Sequence, residues 1–63
     1  MPVLIINGER VAFEAGKSIQ AAVSENGMHP DSYLYLIAGR PVPMDEVPPE
    51  DAEVKVMRVA SGG

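Results

Sequence analysis

The chain has 63 residues, no cysteine and a formal net charge of −4, which allows one domain that buries only about 60% of the surface its unfolded chain exposes. A domain this small leaves no room for a deep catalytic cleft, and its acidic balance argues against a nucleic-acid partner held through phosphate contacts. Without cysteine there is no disulfide framework, thiol nucleophile or Cys-based zinc site, and the single histidine cannot build a metal centre from histidines.

The N-terminal segment predicts a β-hairpin. An apolar run over residues 2–6 is followed by Asn7-Gly8 and then by an alternating segment over residues 9–14. An Asn-Gly pair accepts positive φ at both central positions of a type I′ turn, whose twist matches that of paired strands. We therefore expect two antiparallel strands joined by this turn.

The two-residue turn also fixes the register of the hairpin. It places Leu4 opposite Val11, so that alternate residues share a face. The row expected to face the core consists of Leu4, Ile6, Val11 and Phe13. Val3 and Ile5 point the other way, and apolar residues on both faces predict a central position in the sheet for the first strand.

A short helix is predicted over residues 18–26. Ser18 has the side chain of an N-cap residue, and apolar residues then recur at helical spacing. The buried stripe is expected to consist of Ile19, Ala22 and Val23. Gly27 falls where a left-handed residue ends many helices, and Met28 after it can pack back on Val23 in a Schellman arrangement.

The middle of the chain predicts one full strand and one short edge strand. Residues 29–32 are expected to form a loop in which His29 is a surface residue, because it has no catalytic partner nearby in sequence. A third strand is predicted over residues 33–38, followed by a turn from Gly39. Pro41 and Pro43 limit the next segment to the edge of a sheet.

The remaining residues predict an acidic connection and a last strand. Residues 43–52 are expected to be irregular, with Val47 as the apolar anchor. The acidic run, which can meet a basic partner or simply face solvent, consists of Asp45, Glu46, Glu50, Asp51 and Glu53. The last strand covers residues 53–59, with Val54 and Val56 on one face and Lys55, Met57 and Val59 on the other.

The order of elements is hairpin, helix, strand, short strand and strand, which is an α+β arrangement. One helix can cover only one face of such a sheet, and the first and last strands are apolar enough to lie side by side at its centre. This order predicts a β-grasp, a mixed sheet of four to five strands packed on one main helix. The predicted core consists of Leu4, Ile6, Val11, Phe13, Ile19, Val23, Tyr35, Ile37, Val54 and Val56.

Alternation also predicts the side chains on the sheet face that the helix leaves uncovered. They are Val3, Ile5, Leu34, Leu36, Met57 and Val59. Because contiguous apolar patches on small soluble proteins usually mark interaction sites, we expect a partner protein to dock here.

The sequence closes with Gly62-Gly63. Gly63 would present an ionised carboxylate at the tip of an arm whose last two residues have no side chains and few conformational restrictions. Five extended residues reach roughly 17 Å, which suits an active site that belongs to another protein. We therefore divide the chain into a β-grasp domain, residues 1–59, and a flexible tail, residues 60–63.

In these features the sequence resembles the ubiquitin-like sulfur carriers of the ThiS and MoaD family, including the small archaeal modifier proteins. The resemblance covers almost the whole chain and is carried by Ile6-Asn7-Gly8, residues 15–19, residues 36–42, residues 49–54 and residues 59–63. One departure is Ala52, where the family often has glycine, and this bears on turn geometry more than on chemistry.

The resemblance implies that the chain is a substrate of other enzymes and not an enzyme itself. A ubiquitin-activating-like adenylating enzyme would use ATP to convert the Gly63 carboxylate to an acyl-adenylate, with Gly62 providing clearance. Sulfur would then displace AMP, and the Gly63 thiocarboxylate would serve a downstream sulfur acceptor enzyme in thiamine, molybdopterin or tRNA-thiolation pathways. The chain itself would hold no cofactor or metal, and the adenylating enzyme would dock on the uncovered apolar face.

Two alternatives remain beside sulfur carriage. In the first, activated Gly63 is passed to lysines of target proteins, which would make the chain a protein modifier. In the second, the chain is a small structural module with a passive tail. No apolar run is long enough to cross a membrane and the N-terminus does not resemble a signal peptide, so we expect a cytoplasmic protein whose partners are neither nucleic acid nor membrane.

Overall fold

The computed structural model describes residues 1–59, and the predicted tail, residues 60–63, lies outside the described part of the chain. The described residues form a small α+β structure, as predicted, with one α-helix and a five-stranded mixed sheet. The strands are β1 (Val3–Ile6), β2 (Glu9–Ala12), β3 (Tyr33–Ile37), β4 (Arg40–Val42) and β5 (Glu53–Arg58), and the helix is α1 (Ile19–Glu25). A 3-10 turn, Pro30–Ser32, precedes β3 where the sequence predicted only loop.

The sheet is built around the pairing of β1 with β5. Its strand order is β2-β1-β5-β3-β4, and β1 and β5 run parallel, which confirms that the first and last strands are neighbours. In this ladder Leu4 lies beside Val54 and Ile6 lies beside Val56. The other pairings are antiparallel. Strand β4 forms an edge of the sheet, as predicted from the presence of Pro41.

The β1–β2 hairpin has the predicted turn and register. In Asn7-Gly8 the φ angles are 51° and 81°, both in the left-handed region that a type I′ turn requires and that Asn and Gly adopt most readily. The second strand ends at Ala12, earlier than the predicted residue 14. Phe13 is nevertheless buried, and its N–H donates to the carbonyl of Pro2 at 2.9 Å.

The N-terminus of α1 is capped from two directions. Ser18 is the N-cap, as predicted, and its Oγ accepts a hydrogen bond from the N–H of Ala21 at 3.3 Å. The first two helical N–H groups donate to the carbonyls of Glu46 and Met44, at 2.9 and 2.8 Å. The connection between β4 and β5 therefore satisfies donors for which the helix itself has no acceptor.

The C-terminus of α1 has the predicted Schellman arrangement. Gly27 has a φ of 76°, and its N–H donates to the carbonyl of Ser24 at 3.0 Å. The N–H of Met28 donates to the carbonyl of Val23 at 3.2 Å, and the Met28 side chain packs against the core. Glycine suits this position because the motif needs a left-handed residue there.

The core lies between α1 and the sheet. Of the predicted core residues, Ile6, Val11 and Ile37 are half-buried and the others are buried. The buried hydrophobic set is Leu4, Phe13, Ile19, Ala22, Val23, Tyr35, Val54 and Val56. The phenol of Tyr35 donates to the carbonyl of Pro30 at 2.7 Å, and burial raises the pKa of Tyr35. The one polar group among these core side chains therefore has a partner.

Two predictions about the connections are wrong. Val47 is 52% exposed, and Met44 and Pro48 take the inner positions instead, because the carbonyls of this segment turn toward the helix N-terminus and leave Val47 on the outer side. The third strand also ends earlier than predicted, since Ala38-Gly39 is a two-residue turn with φ of 52° and 78°. Arg40 consequently belongs to β4.

The first testable prediction concerns the helix cap. Ser18→Ala is expected to lower the free energy of unfolding by about 1 kcal/mol, because the N–H of Ala21 loses its partner. In a domain of this size the melting temperature should fall by about 4–8 °C. The control is Ser24→Ala, at an exposed position of the same helix, with an expected change below about 0.5 kcal/mol. Thermal unfolding measures both, and equal effects would contradict the capping role of Ser18.

Candidate functional site

Helix α1 packs on one face of the sheet, and no element of residues 1–59 packs on the other face to bury it. The residues predicted for the uncovered face lie on β1, β3 and β5, or directly after β5. Leu34 is 55% exposed, Met57 43% and Val59 41%, whereas Val3, Ile5 and Leu36 are half-buried. The structure thus presents these aliphatic side chains together on one surface.

Strand pairing makes this surface continuous, and we call it the open face. It comprises Val3, Ile5, Leu34, Leu36, Lys55, Met57 and Val59. Lys55 lies beside Ile5 of β1 on one side and beside Leu36 of β3 on the other, while Leu34 lies beside Met57. Residues paired in this way have Cβ atoms about 4.5–5.5 Å apart. The open face is therefore an aliphatic surface with a cation at its centre.

An ion pair crosses the open face over β1. Arg10 on β2 and Glu53 on β5 approach to 2.9 Å, and because β1 lies between their strands, the two side chains pass over it. This contact helps to explain why Val3 and Ile5 are half-buried. The side chains of the pair are 60% and 56% exposed, so the pair contributes at most about 1 kcal/mol.

The two lysines of the chain have different surroundings. Lys17, away from the open face, lies 2.8 Å from Glu25 and 3.8 Å from Glu14. The hydrogen bond to Glu25 raises the pKa of Lys17. Lys55 is exposed, and no ion pair of Lys55 is found within residues 1–59. Alternation predicted that Lys55 lies on the face away from the helix, and the central position of β5, also predicted, places it in the middle of that face.

An open depression of about 580 Å³ occupies one end of the open face. It is lined by Ile5, Leu36, Lys55 and Glu53 and by the Ala38-Gly39 turn. It lies at the start of β5, while the end of that strand leads toward the tail. Apolar walls beside an ammonium group are suited to the side chains of a docked protein.

Residues 1–59 contain no group of three or more His, Cys, Asp or Glu side chains that could hold a metal ion. None of the polar or charged residues in that range is buried, and His29 is exposed, as predicted. Within the same range, no helix has the length and apolar character needed to cross a membrane.

Gly62 and Gly63, the predicted site of activation, lie outside the described residues. The nearest described residue, Val59, donates its N–H to the carbonyl of Ser32 at 3.0 Å. The chain is therefore held in place two residues past Met57, at the edge of the open face. A partner bound to the open face would lie close to the point where the tail begins.

Comparison of the chain with protein-family models gave no match, and comparison with curated proteins gave none either. The features of the chain itself that bear on its function are the open face, the position of β5 and the sequence of the tail.

The second prediction tests whether the open face is free in solution. Met57→Glu is expected to change the free energy of unfolding by less than about 0.5 kcal/mol, because the side chain stays in water. The adjacent residue, Val56, is 8% exposed and serves as the control. Val56→Glu would bury an unpaired carboxyl group and should cost more than about 3 kcal/mol or unfold the domain. Urea unfolding measures both, and a large loss from Met57→Glu would show that this face is covered.

Proposed function

We propose that the chain is a β-grasp, ubiquitin-like sulfur carrier that is activated at Gly63 by a partner enzyme. The observation that carries the proposal is the position of β5. This strand pairs in parallel with β1 at the centre of the sheet, contributes Met57 to the open face, and leads along the chain to Gly62-Gly63. One strand thereby joins a rigid domain, an exposed apolar surface and a candidate reactive group.

The arrangement of elements supports the β-grasp assignment. In the mixed sheet of this protein the first and last strands are parallel and adjacent at the centre. The α-helix of the described residues follows the first hairpin and packs across one face of the sheet. A parallel pair needs a long crossover connection, and here the crossover contains the helix and two further strands. The order matches what the sequence predicted for a β-grasp.

The proposed chemistry takes place at the carboxylate of Gly63. One carboxylate oxygen attacks the α-phosphorus of ATP, pyrophosphate leaves, and an acyl-adenylate forms. A sulfur nucleophile then attacks the carbonyl carbon, the bond to the phosphate oxygen breaks, and AMP leaves. Binding of ATP, supply of sulfur and proton transfer belong to the partner enzymes, and this chain contributes the carboxylate and the side-chain-free approach provided by Gly62.

Docking of the adenylating enzyme on the open face would supply the orientation that this reaction needs. Holding two reactants in a fixed geometry turns a bimolecular step into an effectively intramolecular one. From Met57 to Gly63 the chain spans six residues, or at most about 20–22 Å when extended. On the enzyme, the distance from the site that contacts Met57 to the adenylation site therefore cannot exceed about 20–22 Å.

The third prediction concerns Gly63. Deleting Gly63, or extending the chain beyond it, is expected to abolish ATP-dependent AMP transfer, because the reacting carboxylate is lost or displaced. Folding should be unchanged, since the core lies within residues 1–59. Gly62→Leu should also block transfer by filling the approach and restricting the backbone, whereas Ser61→Ala, which keeps the carboxylate and both glycines, should have little effect. The mass of the intact protein after incubation with ATP and a cognate adenylating enzyme measures the adduct.

Two results would contradict this role of Gly63. The first is an AMP adduct at the C-terminus of the Gly63-deleted protein. The second is a wild-type protein that stays unmodified with every adenylating enzyme of this class from its source, which would favour the structural module with a passive tail.

The fourth prediction concerns docking on the open face. Met57→Glu places a charge on an apolar contact surface and is expected to weaken binding of the adenylating enzyme about tenfold or more. Ser24→Glu adds the same charge at an exposed position of α1, on the other side of the sheet, and should bind as wild type. Titration calorimetry measures both constants. Equal binding of Met57→Glu and wild type would remove the open face from the proposed interface.

A further inference from the structure

The open face carries charged as well as aliphatic side chains. The protein has a net charge of −4, yet the open face carries Arg10, Lys55 and a single strand carboxylate, that of Glu53. Glu53 is already paired with Arg10 at 2.9 Å. Glu9, the other acidic residue in a strand, lies opposite Ile6 on the side of the helix. Lys55 is therefore the strand cation of this surface for which no ion pair is found within residues 1–59.

The position of Lys55 determines what kind of surface can cover it. Its neighbours across the sheet are Ile5 and Leu36, and it lines the depression beside them. An apolar partner that covers Ile5 and Leu36 must also remove the ammonium group of Lys55 from water. Such desolvation is costly unless the partner supplies an opposite charge and hydrogen-bond acceptors. Complementarity therefore requires a carboxylate on the partner opposite Lys55.

A second copy of this chain is a poor occupant of the open face. A symmetric dimer built on this face would bring Lys55 and Arg10 of both copies together, while the carboxylate of Glu53 is already paired in each copy. Like charges in contact at an interface are costly. Single-stranded nucleic acid is equally unsuited, because base stacking needs aromatic side chains, and Tyr33 and Tyr35 belong to the opposite row of β3.

We propose that Lys55 is the residue that selects the partner of the open face, and that this partner, the adenylating enzyme, presents an apolar patch with a carboxylate that pairs with Lys55 Nζ. An aliphatic side chain of the same patch occupies the depression next to Lys55. The inference rests on the proposed function, for which it names the chemistry of recognition.

The first experiment measures binding of the adenylating enzyme to Lys55 variants. Lys55→Met keeps the aliphatic stem and removes the charge, and it should weaken binding about tenfold, while Lys55→Glu places two carboxylates in contact and should weaken it about a hundredfold. Lys55→Arg should bind within about threefold of wild type, since the charge is retained. Raising the salt concentration should weaken wild-type binding more than binding of Lys55→Met. Lys17→Met, which removes a charge outside the open face, should bind as wild type.

The second experiment identifies the contact directly. A zero-length carbodiimide reagent joins an amine to a carboxylate only when the two groups touch. In the complex, Lys55 should become linked to an Asp or Glu of the enzyme, as read by mass spectrometry of the digested peptides. Lys17 provides an internal control, because it lies 2.8 Å from Glu25 and should form a link within this chain whether or not the enzyme is bound.

The outcomes separate this inference from the proposed function. If the wild-type protein is adenylated but Lys55→Met and Lys55→Glu bind the enzyme as wild type, or if Lys55 forms no link while Lys17 does, the inference is overturned and the proposed function stands. If the enzyme neither binds nor adenylates the wild-type protein, both are overturned. Adenylation together with weakened Lys55 variants and a link from Lys55 to the enzyme supports both.

Discussion

Strands β1 and β5 come from distant parts of the sequence and pair in parallel at the middle of the sheet, with Leu4 beside Val54 and Ile6 beside Val56. Leu4 and Val54 are fully buried, and β2 and β3 attach on either side of this pair. The sheet therefore cannot form until the chain has closed on itself. Closing a long loop costs entropy before its contacts form, so the buried contacts of the central pair must offset that cost.

Strand β5 contributes side chains to both faces of the sheet. Val54 and Val56 of β5 face the helix and are buried, while Lys55 and Met57 face away and are exposed. Substitutions at Lys55 or Met57 are thus expected to affect stability little, whereas polar substitutions at Val54 or Val56 are expected to be strongly destabilising. Since β5 also leads to the tail, the proposed docking on the open face and the proposed delivery of Gly63 would be linked through one strand. In the proposed mechanism the chain needs no catalytic residues of its own, because it has only to place its carboxylate in the active site of a partner.

Much of the fold could be predicted from the sequence because its signals are local. The turn at Asn7-Gly8, the cap at Ser18 and the strict alternation of β5 each follow from a few neighbouring residues. The errors arose where distant segments decide the outcome. Val47 is exposed because neighbouring carbonyls bond to the helix N-terminus. The aliphatic members of the candidate site followed from alternation, whereas the ion pair over β1 and the depression beside Lys55 depend on contacts between distant strands.

The mass of the C-terminal peptide, from protein isolated from its native cells, tests most directly the proposed sulfur carriage at Gly63. Sulfur carriage predicts a species in which sulfur replaces one oxygen of the Gly63 carboxylate, and the disappearance of this species in cells that lack the adenylating enzyme. A terminal peptide found only as the unmodified carboxylate, or only as an isopeptide joined to lysines of other proteins, would contradict it.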